Sequence, residues 1–339
     1  MDYKTLLENA KRNIETCKVC PECNGKACRG QIPGVGGKGT GSGFIRNYDE
    51  LRKIKINMDT LYSIDEVDTS IELFGKNFKY PVFAAPIGAV KLNYGKLYND
   101  YEYQMAIIQG CKNSGVVGFT GDGVKDETYE DPLKVIAEND GWGVPTIKPW
   151  KKEEILRKIK LAEESGALAV AMDIDAAGLA LLGMQGKPVS PKPVEEMQEI
   201  ISSTDLPFIL KGIMTVNGAK KALEAGAYGI VVSNHGGRVL DETPSTVEVL
   251  PEIVEEVKGK MKIFIDGGIR SGLDIFKVIA LGADAVLIGR PYAVAVYGGG
   301  TEGVELYTHK LGKELYETML MSGAKTLKDI NEDKVKILK

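Results

Sequence analysis

Histidine is nearly missing from this chain of 339 residues: there are two, His235 and His309. Any imidazole chemistry therefore falls on one of two positions. Aromatic residues are few, at 7%. No apolar stretch reaches the ~18 residues of a membrane-spanning helix. Neither charge sign dominates: 43 basic residues against 47 acidic ones leave a formal charge of −4. That balance offers no basic footprint for nucleic acid. The polar opening Met1-Asp2-Tyr3-Lys4 lacks the apolar core of a signal peptide, so a cytoplasmic protein is expected. The five cysteines do not describe a secreted disulfide scaffold. What is abundant is glycine, with 40 residues. A hydrophobic share of 43% and a charged share of 27% exclude a disordered or fibrous chain.

From about residue 80 one pattern repeats: a short apolar run, then an amphipathic stretch. Strands are predicted over 81–87, 116–120, 144–148, 167–175, 207–213, 229–234, 262–268 and 285–289. Continuous runs such as Ile230-Val231-Val232 fit strands buried on both faces of a parallel sheet. Between them, Ser245-Thr246-Val247-Glu248 reads as a capping box ahead of an apolar helical face. Helices over 153–165, 217–224 and 273–281 each stop at a glycine. Eight alternating units predict an α/β fold, a (β/α)8 TIM barrel over 80–339. The rival is an open doubly wound sheet, which usually has fewer strands and a glycine-rich first turn. Residues 1–79 are read as an N-terminal extension. It holds a helix over 3–15, a cysteine cluster, a glycine-rich loop and a strand-like piece at 70–74. A long helix follows Gly298-Gly299-Gly300.

Active sites of such barrels lie at the C-terminal ends of the strands. Those ends present Ala85-Pro86, Thr120, Thr146 with Lys148, Asp173 with Asp175, Lys211, Ser233 to Arg238, Asp266 to Arg270, and Gly289-Arg290. Gly267, Gly268 and Gly289 let backbone N–H groups approach a phosphate, and Arg270 and Arg290 supply charge. His235 is placed to take a proton. Arg238 suits a carboxylate, and Asp175 can orient the imidazole. Lys211 is either an electrostatic stabiliser or a Schiff-base nucleophile. His309 falls on the polar side of the last helix and is read as solvated.

Ser233-Asn234-His235-Gly236-Gly237-Arg238 with Leu240-Asp241 resembles the active-site signature of FMN-dependent α-hydroxy-acid oxidases and dehydrogenases, the glycolate oxidase and lactate oxidase group. Residues 206–212, Asp266-Gly267-Gly268-Ile269-Arg270 and Leu287-Ile288-Gly289-Arg290-Pro291 resemble its fifth strand and its two phosphate strands. The resemblance is close over 205–325, weaker over 80–205 and poor before 75. It implies FMN in the barrel mouth and oxidation of a small 2-hydroxy acid to a 2-oxo acid. His235 would be the base and Arg238 the carboxylate ligand. Lys211 would stabilise the reduced flavin, which displaces the Schiff-base role. Ala85, Pro86, Thr120, Thr146 and Asp173 would line the flavin ring, and Ser233 the ribityl chain. Asp266, Gly267, Gly268, Arg270, Gly289 and Arg290 would hold ribityl and phosphate. A homo-tetramer or homo-octamer is also implied. The alternative is a non-redox, flavin-dependent isomerase on the same barrel.

The departures bear on substrate. Thr146 and Lys148 stand where the family usually has glutamine and tyrosine. Gly178 takes the place of a second substrate arginine, and Phe44 is the nearest candidate for an N-terminal substrate tyrosine. Lys148 either restores positive charge or is a solvated rim residue. A substrate other than lactate or glycolate is therefore expected. Cys17-x2-Cys20-x2-Cys23-x4-Cys28 fits Zn2+, an iron–sulfur cluster, reduced structural thiols or a redox pair. The glycine run over 34–43 is no P-loop, because Gly39 follows Lys38. It is read as a flexible loop over the barrel mouth.

Overall fold

The structure, a computed structural model, describes every residue except 64, 65, 180, 181, 184, 185 and 339. Eight parallel strands form the centre: β1 (Val82–Ala84), β2 (Phe119–Thr120), β3 (Val144–Ile147), β4 (Val170–Asp173), β5 (Phe208–Ile213), β6 (Gly229–Val232), β7 (Lys262–Ile265) and β8 (Ala285–Ile288). They run in sheet order β1-β8-β7-β6-β5-β4-β3-β2. A bridge between Ala84 and Gly118 closes the ring. All eight expected strands are present, and most are shorter than the apolar runs that announce them. The runs continue past the ladder because the mouth loops bury the same residues. One register is decisive: Asp173 on β4 lies opposite Lys211 on β5.

The connecting helices follow their caps. Ser245 and Glu248 form the expected capping box on the helix Thr246–Val257. The helix Gly272–Ala280 starts one residue early, capped by the Ser271 side chain. The last helix, Arg290–Ser322, is two helices merged across Gly299 and Gly300. Gly300 has φ +56°, which a side chain there would oppose. No described helix is long and apolar enough to cross a membrane.

The first 79 residues wrap both ends of the barrel. The helix Tyr3–Asn13 buries Leu6 and Ala10 against the last helix. A Cβ at Gly298 would stand 2.4 Å from Leu6 O, so that crossing needs glycine. Strand Ile54–Ile56 pairs antiparallel with Val335–Ile337. The hairpin Ile71–Leu73 and Lys76–Phe78 brings Phe74 and Phe78 against Phe264 and Phe83. These rings plug the end opposite the strand tips. The segment 17–47 reaches the other end.

Two charged contacts in this frame make predictions. Lys158 and Asp122, fully buried, pair at 3.0 Å, and Trp150 Nε1 also donates to Asp122. Lys158→Ala leaves that carboxylate without its cation, a loss of about 3–5 kcal/mol in urea unfolding. A loss under about 1 kcal/mol would contradict the pairing. Glu248 is held down to about 2, from an ordinary 4.5, by the hydrogen bond from Arg46 against burial, with help from the Ser245 N–H. A depressed carboxyl stabilises above its unfolded pKa, and that stability drains as pH falls toward about 2. Glu248→Gln should flatten the loss of unfolding midpoint between about pH 5 and 2.

Candidate active site

The strand tips and the N-terminal segment enclose a cavity of about 380 Å3. Ala85, Pro86, Lys148, Asp173, Lys211, His235, Arg238, Asp266, Gly267, Gly268, Arg270, Gly289 and Arg290 all line it. Thr120, Thr146, Asp175 and Ser233 stand behind that wall. Ser233 is already used: its hydroxyl donates to Asp266 Oδ2 at 2.8 Å and accepts from His235 N. The hydroxyls of Thr120 and Thr146 are buried without a hydrogen-bond partner, as are single oxygens of Asp175 and Asp266. Buried polar atoms normally find partners, so these point to a group that binds there.

One wall is a set of paired charges. Asp173 accepts from Lys148 Nζ at 2.5 Å and lies 2.9 Å from Lys211 Nζ. The strand register makes the second contact, because it sets the two residues side by side. Burial would raise the Asp173 carboxyl, and the charges of Lys148 and Lys211 outweigh it and hold it well below the usual range. Burial would lower Lys211, and Asp173, Asp175 and Asp266 hold it above its ordinary value. A lysine kept charged is no Schiff-base nucleophile. Burial raises the Asp266 carboxyl, against the charge of Lys211. Lys148 is buried, so it is no solvated rim residue.

His235 sits at the centre of this wall with φ +57°, a conformation that costs a non-glycine residue. Gly236 and Gly237 continue the left-handed turn. Nδ1 lies 2.9 Å from Asp175 Oδ1. A carboxylate only accepts, so Nδ1 carries the hydrogen, and in the neutral ring the lone pair falls on Nε2. His309 is exposed on the last helix.

The opposite wall carries unpaired charge. Arg238, Arg270 and Arg290 make no ion pair with an acid among the described residues. Backbone carbonyls of the N-terminal segment receive them instead. Arg290 Nε donates to Val35 O at 2.6 Å and its terminal nitrogen to Gly36 O at 3.0 Å. Arg270 Nε donates to Cys23 O at 3.0 Å. Arg238 donates to Gly34 O and to Asn93 Oδ1. Burial, then the charge of Arg290, lowers Arg238 to about 10.

The glycine-rich loop does lie over the mouth, and hydrogen bonds tie it there: Lys38 N donates to Gly237 O and Lys38 Nζ to Val239 O. Phe44 lines the cavity on its arginine side. Its ring packs 3.7 Å from the Arg290 guanidinium.

Some contributors are missed by the sequence reading. Asn47 and Asn234, both buried, exchange side-chain hydrogen bonds and brace the loop beside Gly267 and Gly268. A Cβ at Gly268 would fall 2.0 Å from Asn47 O, so that glycine serves loop packing. The capping-type spacing that reveals helices has no counterpart for such a long-range pair. Cys17, Cys20, Cys23 and Cys28 are free and partly buried. Among the described residues, Asp173, Asp175 and His235 are the group of three such side chains whose ligand atoms meet within 4.8 Å. Lysines crowd that group, which disfavours a cation there. The four cysteine sulfurs form no such group.

If the arginine wall holds the N-terminal segment, Arg290→Ala should release it. Amide exchange over residues 30–38 should then accelerate by about 10-fold or more, with the barrel strands unchanged. Unaltered exchange would contradict the contact.

The family model described as FMN-dependent dehydrogenase matches residues 35–185 and 184–337. The chain is 32% identical to 4-hydroxymandelate oxidase of Amycolatopsis orientalis, over 89% of this chain and 94% of that protein. It is 30% identical to a peroxisomal (S)-2-hydroxyacid oxidase of Arabidopsis thaliana, over 86% and 87%. A crystal structure of mandelate oxidase with (S)-4-hydroxymandelic acid superposes with a TM-score of 0.81 at 26% identity, covering 99% of this chain and 98% of that one. Matches of that extent, on a barrel whose strand tips converge on one cavity, make this chain a member of the FMN-dependent dehydrogenase family.

Proposed function

We propose that the protein uses FMN to oxidise a 2-hydroxy acid with an apolar side chain to the 2-oxo acid. The observation that carries this reading is the imidazole of His235, fixed by Asp175 in a cavity that also presents an arginine without an acid. The residues fit the cofactor. Thr120 and Thr146 offer unpartnered buried hydroxyls, and Arg270 and Arg290 lack an anion. At Gly289 a Cβ would meet nothing nearer than Ala85 and Ile87, at 3.7 and 3.9 Å, so the cavity is open there. Those groups would hold ring, ribityl and phosphate.

FMN supplies the acceptor for two electrons and the hydrogen on C2 of the substrate. The chain supplies the rest. Arg238 has N–H groups left after Gly34 and Asn93, and these take the substrate carboxylate. That fixes the hydroxyl toward His235 Nε2, which accepts its proton. Asp175 holds the ring in the right tautomer and stabilises the imidazolium that forms. Lys211 and Lys148, both set against Asp173, put positive charge where negative charge develops. The side chain of the substrate is read from the lining: Ile87, Leu92, Leu179 and Leu182 close one side, and Gly178 leaves room. A relative named for 4-hydroxymandelate accords with that choice.

Anaerobic mixing of flavin-loaded protein with a 2-hydroxy acid tests the proposal. An acid with an aromatic or branched side chain should bleach the flavin faster than lactate or glycolate. His235→Ala should slow the bleaching by roughly 10²–10⁴-fold while flavin stays bound. A flavin that stays oxidised with a broad panel of such acids would overturn it.

A further inference from the structure

Residues 17–28 form a segment that hydrogen bonds anchor at its margins, with Cys17, Val19 and Cys28 packed against the main core. Before it, Glu15 N donates to Tyr94 O and Thr16 Oγ1 to Asn93 O. In the middle, Cys23 O accepts from Arg270. After it, Gln31 N donates to Cys28 O. Between these ties the only regular element is a single turn, Lys26–Cys28. Apolar side chains other than cysteine are limited to Val19, Pro21 and Ala27. No core of its own holds this segment, yet its chain carries the carbonyl that receives Arg270 and leads straight to those that receive Arg238 and Arg290.

Four thiols lie within it, all partly buried and none in a disulfide. Val19 N–H points at Cys17 Sγ, 3.3 Å away, in a left-handed turn with φ +45°. That N–H gives the sulfur a hydrogen-bond donor of the kind that surrounds metal-bound sulfur. A single zinc with bonds of about 2.3 Å needs its sulfurs roughly 3.8 Å apart. No three of these sulfurs lie within 4.8 Å of one another. A cubane cluster places iron and sulfide between its four cysteines and spans a wider set.

We propose that Cys17, Cys20, Cys23 and Cys28 bind one iron–sulfur cluster of the four-iron type. The cluster staples the loop whose carbonyls hold the arginine wall. It goes beyond the hydroxy-acid reading and stands or falls separately from it. The test is metal and acid-labile sulfide analysis of the full chain, isolated under nitrogen with its flavin in place. The expected result is about four iron and four sulfide per chain, with a low-temperature paramagnetic signal after dithionite. Cys20→Ser and Cys23→Ser should each cut bound iron by more than about half, and Cys111→Ala, altering a buried core cysteine, should keep it. Zinc without iron, no metal at all, or full iron in both serine variants would overturn the proposal. The wild-type analysis decides even if a variant fails to fold.

Discussion

Three arginines at the mouth of a barrel, with no acid among the described residues to pair with them, are the constraint on which the rest depends. A half-buried guanidinium without a counter-charge is costly. Arg238, Arg270 and Arg290 meet that cost in part with backbone carbonyls from residues 23–36. Carbonyls satisfy hydrogen bonds and leave the charge. Such a site suits anions, and in the proposed function a phosphate and a carboxylate supply them. The same demand explains why the N-terminal segment packs over the mouth instead of lying outside it.

Across the cavity the logic is inverted. Lys148 and Lys211 have Asp173 between them, so their charges are partly offset and fixed in place. Strand register supplies that geometry without any loop. His235 stands between the two walls, on a strained left-handed turn, and Asp175 sets its tautomer. In the proposed function, one side of the cavity binds anions and the other handles the proton and the charge that accompanies it.

The barrel was legible because its signals are local. Eight apolar runs, the Ser245–Glu248 box and the glycine stops each occupy a few neighbouring residues. The strand-tip residues followed from the fold, and most of them line one cavity. The partners of those residues were not legible. Val35 receives Arg290 from 255 positions away, and it does so with a carbonyl that every residue owns. Nothing in the identity of Gly34, Val35 or Gly36 marks them. Lys148 illustrates the same limit: its strand position was clear, and its burial against Asp173 depended on a contact between strands. The strand-like piece at 70–74 stands alone in the sequence because its partner strand 76–78 carries no such signal and the ring that Phe74 meets lies in the barrel. Glycines at 267 and 268 looked like phosphate contacts, and Gly268 also makes room for the Asn47 backbone.

The arginine wall is the centre of this account, and one equilibrium measures it. Flavin-free protein should be titrated with FMN and with riboflavin, which differs by the phosphate alone. If Arg270 and Arg290 await an anion, FMN binds at least roughly 100-fold tighter, about 2.7 kcal/mol for the charge-assisted hydrogen bonds to phosphate, and added salt narrows the gap. Equal affinities for the two flavins would contradict it.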